Sequence, residues 1–348
     1  MMKLGGMAVL LAAAMLSPLQ EEEAYRLDGN EVAVYNLAGR VQIVPGSGDA
    51  VVVRVARQGK DAERLTMDRI RIRDREALVI RYPEDHVVYP EMGRLSRVQL
   101  RVRDDGTFFG KGWKGWGGDR VRVTGSGRGL RAWADLIIEV PQGRSLDLAL
   151  AAGDVEAAGV AASLSLEAGS GEVRARDVTG DVNIDTGSGE VDASEIRGSL
   201  RVDTGSGSVE VEGVRGREVL LDTGSGRVEA QGIEADRVKV DTGSGSVTLE
   251  EVAAPDIYVD TGSGSVEIEM LRDVEQLVVD TGSGSVTLYA PDDLGARVEV
   301  DTGSGGIDVD WPLRAFSKGR DHLKGEVGDG DGKILIDTGS GSVRLRRN

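Results

Sequence analysis

Short stretches in which hydrophobic and polar residues alternate run through most of the chain, separated by glycine-rich turns. In residues 246–264, SVTLEEVAAPDIYVDTGSG, Val247 and Leu249 alternate with polar residues, and Ile257 and Val259 do the same after a bend. Alternation with a period of two is typical of β-strands that bury one face. Each such stretch therefore predicts two short strands, a bend between them and a tight turn after the second.

The turn is a repeated motif. The sequence DTGSG occurs eight times, and a degenerate copy, EAGSG, begins at Glu167. The eight copies begin at Asp185, Asp203, Asp222, Asp241, Asp260, Asp280, Asp301 and Asp337. Successive copies are 18 to 21 residues apart, except for 36 residues before the last. A fixed short period indicates a repeat architecture.

One repeat cannot fold alone, because the few aliphatic side chains that it buries do not offset the entropy lost on ordering it. Stacking in register pairs each strand with the coils above and below, about 4.8 Å away. The pattern therefore predicts an all-β fold: a parallel β-solenoid, or β-helix, with coils of about 18–20 residues and a less regular β-rich N-terminal region.

The repeats divide the chain into regions. We expect the repeat domain to cover residues 134–348, with residues 134–143, ADLIIEVPQG, as the strand that leads in. The long interval before the last copy predicts a capping excursion at residues 311–336, since the end of a solenoid is an open strand edge. Residues 21–133 are β-rich but less regular, and either diverged coils or a small sandwich fits them.

The N-terminus has the order of a secretory signal. Lys3 precedes an apolar run from Leu4 to Leu16, and Ser17 and Pro18 interrupt it. The run is short for a membrane span. We expect residues 1–20 to be a signal peptide and the protein to be exported to the periplasm, the outer-membrane surface or the medium. An uncleaved anchor is the alternative.

Composition narrows the function classes. The net charge is −17, with 59 acidic against 42 basic residues, which argues against nucleic acid as a partner. The chain has no Cys and only two His, so it offers no thiolate zinc site, no Cys nucleophile and little acid–base chemistry. No cofactor is expected. Only three Phe, six Tyr and four Trp are present, which predicts a core of aliphatic layers.

Asp280, in VVDTGSGSVTL, resembles the catalytic Asp of an aspartic protease. That chemistry needs two adjacent carboxylates that share a proton, whereas stacked coils would space the carboxylates about 4.8 Å apart on an open flank. We therefore interpret DTGSG as a structural corner. Its glycines are expected to adopt positive φ, and its Thr and Ser to bond their stacked equivalents. No catalytic residue is predicted, and the protein is not expected to be an enzyme.

Two alternatives stay open beside this interpretation. A column of carboxylates could bind Ca²⁺, which would relieve the repulsion between like charges, and the candidate ladder is Asp203, Asp222, Asp241, Asp260 and Asp280. Calcium β-rolls place Asp after the glycines of a nine-residue repeat, so the match is poor. A polysaccharide-active β-helix enzyme would need acidic and basic residues that converge on one groove.

A second candidate is the stretch TFFGKGWKGWGGDR, residues 107–120. Aromatic side chains on a glycine-rich loop can stack on sugar rings or enter a membrane interface. The candidate ligand-binding residues are Phe108, Phe109, Lys111, Trp113, Lys114 and Trp116. The alternative is that some of these aromatic residues plug the end of the solenoid.

The segment LIIEVPQGRSLDLALAAGDVEAAGVAASLSLEAGSGEV and the coils that end in V-x-V-D-T-G-S-G resemble the bacterial DUF4097 family, β-strand repeat proteins also named "putative adhesins". The resemblance covers about residue 130 to the end. It implies a non-enzymatic, adhesin-like or scaffold module at the cell envelope, whose partner would be an envelope component, a glycan or a surface protein. It implies no catalytic residues.

Overall fold

The structure is a computed structural model that describes residues 23–72, 74–109 and 118–348. The predicted signal peptide, residues 1–20, lies outside the described residues. Within the described ranges, no helix has the length and apolar character needed to span a membrane.

Almost all regular structure in the described residues is β. The first strands are β1 (Glu23–Leu27), β2 (Glu31–Ala38), β3 (Val41–Pro45), β4 (Val51–Gln58), β5 (Thr66–Ile72), β6 (Arg75–Arg81), β7 (His86–Val88), β8 (Arg97–Val102), β9 (Asp119–Thr124) and β10 (Trp133–Val140). The next are β11 (Ser145–Ala152), β12 (Val155–Ala158), β13 (Ser163–Ala168), β14 (Val173–Thr179), β15 (Val182–Thr186), β16 (Val191–Arg197), β17 (Leu200–Thr204), β18 (Val209–Thr223), β19 (Val228–Thr242) and β20 (Val247–Ala253). The last are β21 (Asp256–Thr261), β22 (Val266–Met270), β23 (Gln276–Thr281), β24 (Val286–Ala290), β25 (Ala296–Thr302), β26 (Ile307–Val309), β27 (Arg314–Lys318), β28 (His322–Val327), β29 (Gly332–Thr338) and β30 (Val343–Arg347). Two 3₁₀ helices lie at Ala62–Arg64 and Pro90–Met92.

The strands stack in parallel as two flanks joined by the TGSG corner. Flank A contains the strands that end in DT or its equivalent, and flank B contains the strands that follow the corner. The long strands β18 and β19 each begin on flank B of one coil and end on flank A of the next, so each belongs to two coils. The coils stack in the order β2–β3, β11–β12, β13–β14, β15–β16, β17–β18, β18–β19, β19–β20, β21–β22, β23–β24, β29–β30 and β25–β26. This arrangement confirms the predicted all-β solenoid.

Inward-facing aliphatic side chains fill the space between the flanks. In one coil, Val219 and Leu221 of flank A and Val228 of flank B are each at most 1% exposed. The same positions are buried in the neighbouring coils, so the core is a stack of thin layers of Val, Leu, Ile and Ala. The alternation seen in the sequence follows from this geometry, because every second side chain of a strand points inward.

The last coil of the chain does not lie at the end of the stack. β29 pairs in parallel with β23 on one side and with β25 on the other, and β30 lies in the same way between β24 and β26. Residues 332–347 are therefore inserted between two coils that precede them in the sequence. The coil that contains β25 and β26 becomes the terminal one.

The excursion between β26 and β29 covers the end of the stack. β28 pairs antiparallel with β25, and β27 pairs antiparallel with β28. Leu323 and Val327 of β28 and the indole of Trp311 are buried against the last layer. The parallel stack thus ends in a two-strand antiparallel extension of flank A.

The N-terminal region combines one coil with antiparallel strands. β2 and β3 form the first coil. On flank A, β6 pairs in parallel with β2, and β5 pairs antiparallel with β6. On flank B, β10 pairs in parallel with β3, and β4 and β1 follow antiparallel. Both flanks therefore change from parallel to antiparallel pairing at this end.

A separate three-stranded sheet, in the order β7–β9–β8, covers the outer side of flank A near this end. Leu100, Val121 and Val123 of the sheet pack on a second hydrophobic cluster that contains Tyr35 and Ala149. Outward positions of flank A are mostly polar in later coils, but here Ala33, Tyr35 and Ala149 are apolar. The sheet is therefore attached to the solenoid by a core of its own.

Candidate functional site

The aspartates of the DTGSG motifs form one column along the outer side of flank A. Direct cross-strand pairs join Asp185 to Asp203 and continue coil by coil to the terminal coil. Because the last coil is inserted, Asp280 lies next to Asp337, and Asp337 lies next to Asp301. The five residues of the candidate calcium ladder are consecutive members of this column.

From Asp185 to Asp260, every second aspartate of the column has a basic side chain beside it, and the others do not. Burial raises the pKa of Asp185, Asp222 and Asp260, and the charges of the neighbouring ladder aspartates raise it further. Two intervening members face basic side chains: Asp203 lies 3.9 Å from Arg201 and Asp241 lies 3.8 Å from Lys239. Among the described residues, no group of three or more His, Cys, Asp or Glu side chains is placed to hold a metal ion.

The threonines of the motif point inward, and five of them, Thr223, Thr242, Thr261, Thr281 and Thr338, donate a hydrogen bond to a corner glycine of the neighbouring coil. Their side chains are at most 4% exposed. The Oγ1 of Thr242 donates a hydrogen bond to the carbonyl oxygen of Gly226 at 3.3 Å, and Thr261 donates to Gly245 at 3.1 Å. The expectation that Thr bonds its stacked equivalent is therefore wrong. The acceptor is the second glycine of the motif one coil earlier.

The corner glycines are required by close approach of the backbone. None of the glycines in the eight DTGSG copies lies in the left-handed region, so the expectation of positive φ is wrong. A Cβ on Gly226 would lie 1.9 Å from the carbonyl oxygen of Gly207, and one on Gly245 would lie 1.8 Å from that of Gly226. Stacking at the β spacing leaves no room for a side chain at this position.

Asp280 is one member of a uniform column and has no separate environment. It lies between Asp260 and Asp337 on an exposed outer face. An aspartic protease dyad needs two carboxylates held in a cleft. The geometry at Asp280 is that of a repeated structural corner.

The aromatic stretch is only partly within the described residues. Phe108 is 2% exposed, and its ring meets Tyr35 edge-on at 5.7 Å in the cluster between the small sheet and flank A. Phe109 has φ of 57° and packs edge-on against Phe108 at 5.1 Å. The other candidates, Lys111, Trp113, Lys114 and Trp116, lie outside the described residues.

A polar groove of about 580 Å³ runs along the outer side of flank A, from the first coil to the β18–β19 coil. Its floor consists of short side chains, chiefly Ser163, Ser165 and Asn183. Larger side chains bound it, with Glu31 at one end and Arg217 at the other. The repeated motif gives no sign of this groove, because the serines of the groove belong to different coils. The available signal was the outward Ser in the stretches RSLDL, SLSLE and GSLRV.

The groove presents hydrogen-bond donors and acceptors in a row. Asn183 Nδ2 lies 3.5 Å from Ser165 Oγ, a long contact that leaves both groups open to a ligand. Asp181 accepts the backbone N–H of Ser199 at 2.8 Å, and Asp147 pairs with Arg75. Asp147 and Asp181, two of the four carboxylates that line the groove, are thus engaged as acceptors. The arrangement suits a hydroxyl-rich ligand.

A second groove, of about 300 Å³, lies on flank B and is acidic. Glu210, Glu212, Glu229 and Glu250 line it. Its side chains are all carboxylates, amides, hydroxyls or small apolar groups. It would repel an anionic ligand, and it lacks the mixed polarity of the flank A groove.

Comparison with known proteins bears on the repeat region. Residues 180–346, from the β15–β16 coil to the inserted coil, match the family model described as Toastrack DUF4097. This match confirms the resemblance seen in the sequence. No curated protein matches the chain.

Two solved structures are similar over nearly the whole chain, at low identity. One is described as a "putative cell adhesion protein" from Clostridium sporogenes, with 12% identity, a TM-score of 0.23 and coverage of 94% of this chain and 99% of the other. The second is described as a "putative adhesin" from Bacteroides fragilis, with 11% identity, a TM-score of 0.38 and coverage of 95% and 100%.

Proposed function

Since residues 180–346 match the Toastrack DUF4097 family model, we propose that this chain is a non-enzymatic, adhesin-like binding module that is exported and acts at the bacterial cell envelope. Its ligand is a glycan of the envelope, held along the flank A groove. The observation that supports this function best is the groove itself, which spans six coils and has short hydroxyl or amide side chains on the four middle ones.

The chemistry of the groove favours binding over turnover. Hydrolysis of a glycan requires a pair of carboxyl groups that act as acid and base or nucleophile. Of the carboxylates that line the groove, Asp147 is held in its ion pair with Arg75, Asp181 accepts a backbone N–H, Glu218 pairs with Arg237, and Glu31 lies at the far end. The polar side chains of the groove recur from coil to coil, and a glycan polymer also has a repeating structure. Several weak contacts can therefore form at once and add to the affinity.

Export is supported by the sequence order of residues 1–20, a basic residue, an apolar run and a break. A fold without cysteine is compatible with an oxidising compartment, since the in-register strand pairing stabilises the coils without disulfides.

The test is cosedimentation of the purified chain with insoluble peptidoglycan, and a glycan array for soluble envelope polysaccharides. Ser163→Leu with Ser165→Leu fills the groove at two outward positions without touching the core. The matched control is Ser194→Leu, an outward serine on flank B. Circular dichroism checks that all variants fold.

We expect the wild type and Ser194→Leu to bind the same glycan and the groove variant to lose at least about tenfold in affinity, because two hydroxyl contacts are removed and the floor is blocked. Equal binding by the groove variant would remove the groove from the function. Release of reducing ends from a bound glycan would contradict the non-enzymatic proposal.

A further inference from the structure

The outer side of the three-stranded sheet is basic, in a chain whose net charge is −17. Val87, Leu100, Val121 and Val123 face the solenoid, so alternate residues face outward. The outward residues are His86, Arg97, Gln99, Arg101, Arg120 and Arg122. Residues 86–131 contain ten Lys and Arg against four Asp and Glu, a net charge of +6. We refer to these outward residues of β7, β8 and β9 as the arginine face.

The arginines of this face are placed against one another. Arg101 lies directly opposite Arg120, and Arg122 lies opposite Gln99 on one side and His86 on the other. Like charges directly opposite on neighbouring strands destabilise a sheet. The outward positions of the three strands carry no Asp or Glu. Within the described residues, Arg97, Arg120 and Arg122 are in no ion pair.

An apolar side chain projects beside these arginines. Leu95 lies in the turn before β8 and is 100% exposed, and Arg94 and Arg97 flank it. Hydrophobic side chains this exposed are rare in the described residues; the other large ones are Leu271 and Phe316, at 53% and 54%. The turn thus presents an apolar side chain next to two positive charges.

This sheet face places arginines opposite one another and has no acidic side chain at its outward positions to neutralise them. Such a departure from favourable charge pairing marks a candidate functional surface. We propose that the arginine face docks this protein on a bilayer that contains anionic lipids. The arginines contact the phosphate groups and Leu95 enters the interface between headgroups and acyl chains. Charge complementarity identifies the anionic partner, and the exposed leucine favours a bilayer over a soluble polyanion, which offers no apolar phase.

The shape of the site also favours a surface. Within the described residues, no arginine of this face lines the flank A groove or the flank B groove. An anionic polysaccharide chain would be expected to lie in a cleft, whereas a sheet face with one projecting leucine fits a plane. The face belongs to a different sheet from the flank A groove, so the inference does not depend on glycan binding.

The experiment is cosedimentation of the full chain with vesicles of phosphatidylcholine alone and of phosphatidylcholine mixed with phosphatidylglycerol. Arg97→Gln with Arg122→Gln removes two charges from the face. The matched control, Arg320→Gln with Arg344→Gln, removes two charges from the far end of the solenoid. Leu95→Ser tests the apolar tip separately. All four residues of the double variants lie on the surface, and circular dichroism checks that each variant folds.

We expect binding to the mixed vesicles only, with loss of binding as salt rises. The face variant should partition about 30-fold more weakly, since each Arg near an anionic surface contributes about 1 kcal/mol. Leu95→Ser should weaken binding severalfold, and the control should bind as the wild type does. Equal weakening in the face variant and the control would overturn the proposal. So would binding to dextran sulfate without binding to vesicles, which would assign the face to a soluble polyanion.

Discussion

In the DTGSG corner, the second glycine lies under the carbonyl oxygen of the same glycine one coil earlier. The space left for a side chain at this glycine is therefore set by the spacing of the stacked strands and not by the conformation of the turn. Gly226 thus differs from Gly306, where an added Cβ would meet nothing within 4 Å.

Gly226→Ala is expected to lower the free energy of unfolding by about 2 kcal/mol or more, because the methyl group must push two coils apart. Gly306→Ala, the control, should change it by only a few tenths of a kcal/mol. Urea denaturation followed by circular dichroism measures both. A small effect at Gly226 would show that the corner can relax.

The threonine column offers a paired test of the inward hydroxyl. Within the described residues, Thr204 Oγ1 is buried with no hydrogen-bond partner, whereas Thr242 Oγ1 donates to Gly226. Thr204→Val should raise the free energy of unfolding by about 1 kcal/mol, since it removes an unsatisfied buried hydroxyl. Thr242→Val should lower it by about 1 kcal/mol. The same denaturation measurement applies, and effects of equal sign would contradict the assignment.

The aspartate column predicts an unusual dependence of stability on pH. Burial and neighbouring carboxylates raise the pKa of Asp222 in the folded state above its ordinary value of 3.8. The ionised form is therefore disfavoured by folding. This penalty is absent below the ordinary pKa of 3.8, grows as the pH rises from there to the folded-state pKa, and stays constant at higher pH.

Asp222→Asn cannot ionise, so it should be more stable than the wild type at neutral pH and equally stable below the ordinary pKa. Asp236→Asn, at an exposed position outside the column, is the control. Thermal unfolding at both pH values gives the comparison. A stabilisation of Asp222→Asn that persists unchanged in acid would rule out ionisation as its cause.

At the scale of elements, the inserted coil determines how the C-terminal part of the chain must be connected. β29 shares in-register pairs with β23 and β25, so residues 332–347 separate two coils that are joined by a short link in the sequence. The hairpin of β27 and β28 carries the chain around the terminal coil and back.

Engineered disulfides can test this order, since the chain has no cysteine. Val278→Cys with Leu335→Cys places two outward residues on neighbouring coils, about 4.8 Å apart, within the Cα range of a disulfide. We expect it to form readily. Val278→Cys with Glu299→Cys spans two layers, about 9.6 Å, and should stay reduced. Non-reducing mass analysis distinguishes them, and the opposite result would mean that coils follow chain order.

Sequence patterns predicted the coils but not their order. Val219, Leu221 and their equivalents alternate clearly, and the fixed period placed the aspartates in one column. The segment that contains Ile334 and Ile336 has the same pattern as every other coil, so it carries no local signal for its neighbours. Coils with the same pattern can pair in register with one another, so their order depends on long-range packing, such as that of Trp311 and β28 on the terminal coil.

The site could be predicted less well than the fold. The serine groove exists only after residues 18 apart in sequence, such as Ser145 and Ser163, are stacked. The small sheet had a detectable signal, because Ala149 and Tyr35 are apolar at outward positions. The arginine face was hidden because its residues alternate with core residues in ordinary strands, and its unusual feature is the pairing of Arg101 with Arg120.

At the scale of the whole molecule, both ends of the parallel stack are closed by antiparallel strands. β27 is the outermost strand of flank A at the C-terminal end. All five of its residues are exposed, and two of them are Arg314 and Lys318. Charged side chains on an edge strand prevent pairing with another chain.

Arg314→Thr with Lys318→Thr should therefore allow strand pairing between molecules and raise the proportion of dimers and larger species. Size-exclusion chromatography with light scattering measures this, and Arg320→Gln with Arg344→Gln serves as the charge-matched control. If only the control associates, or both do equally, net charge and not the edge controls association.

The coils from β15 to β24 are nearly identical in their corners and buried layers, and each contacts only its neighbours. Gain or loss of one repeat in this stretch would change the length of the rod by about 4.8 Å and leave the arginine face and the β27 end unaltered. Chains that differ by whole repeats would therefore separate the arginine face from the β27 end by distances that differ in steps of about 4.8 Å.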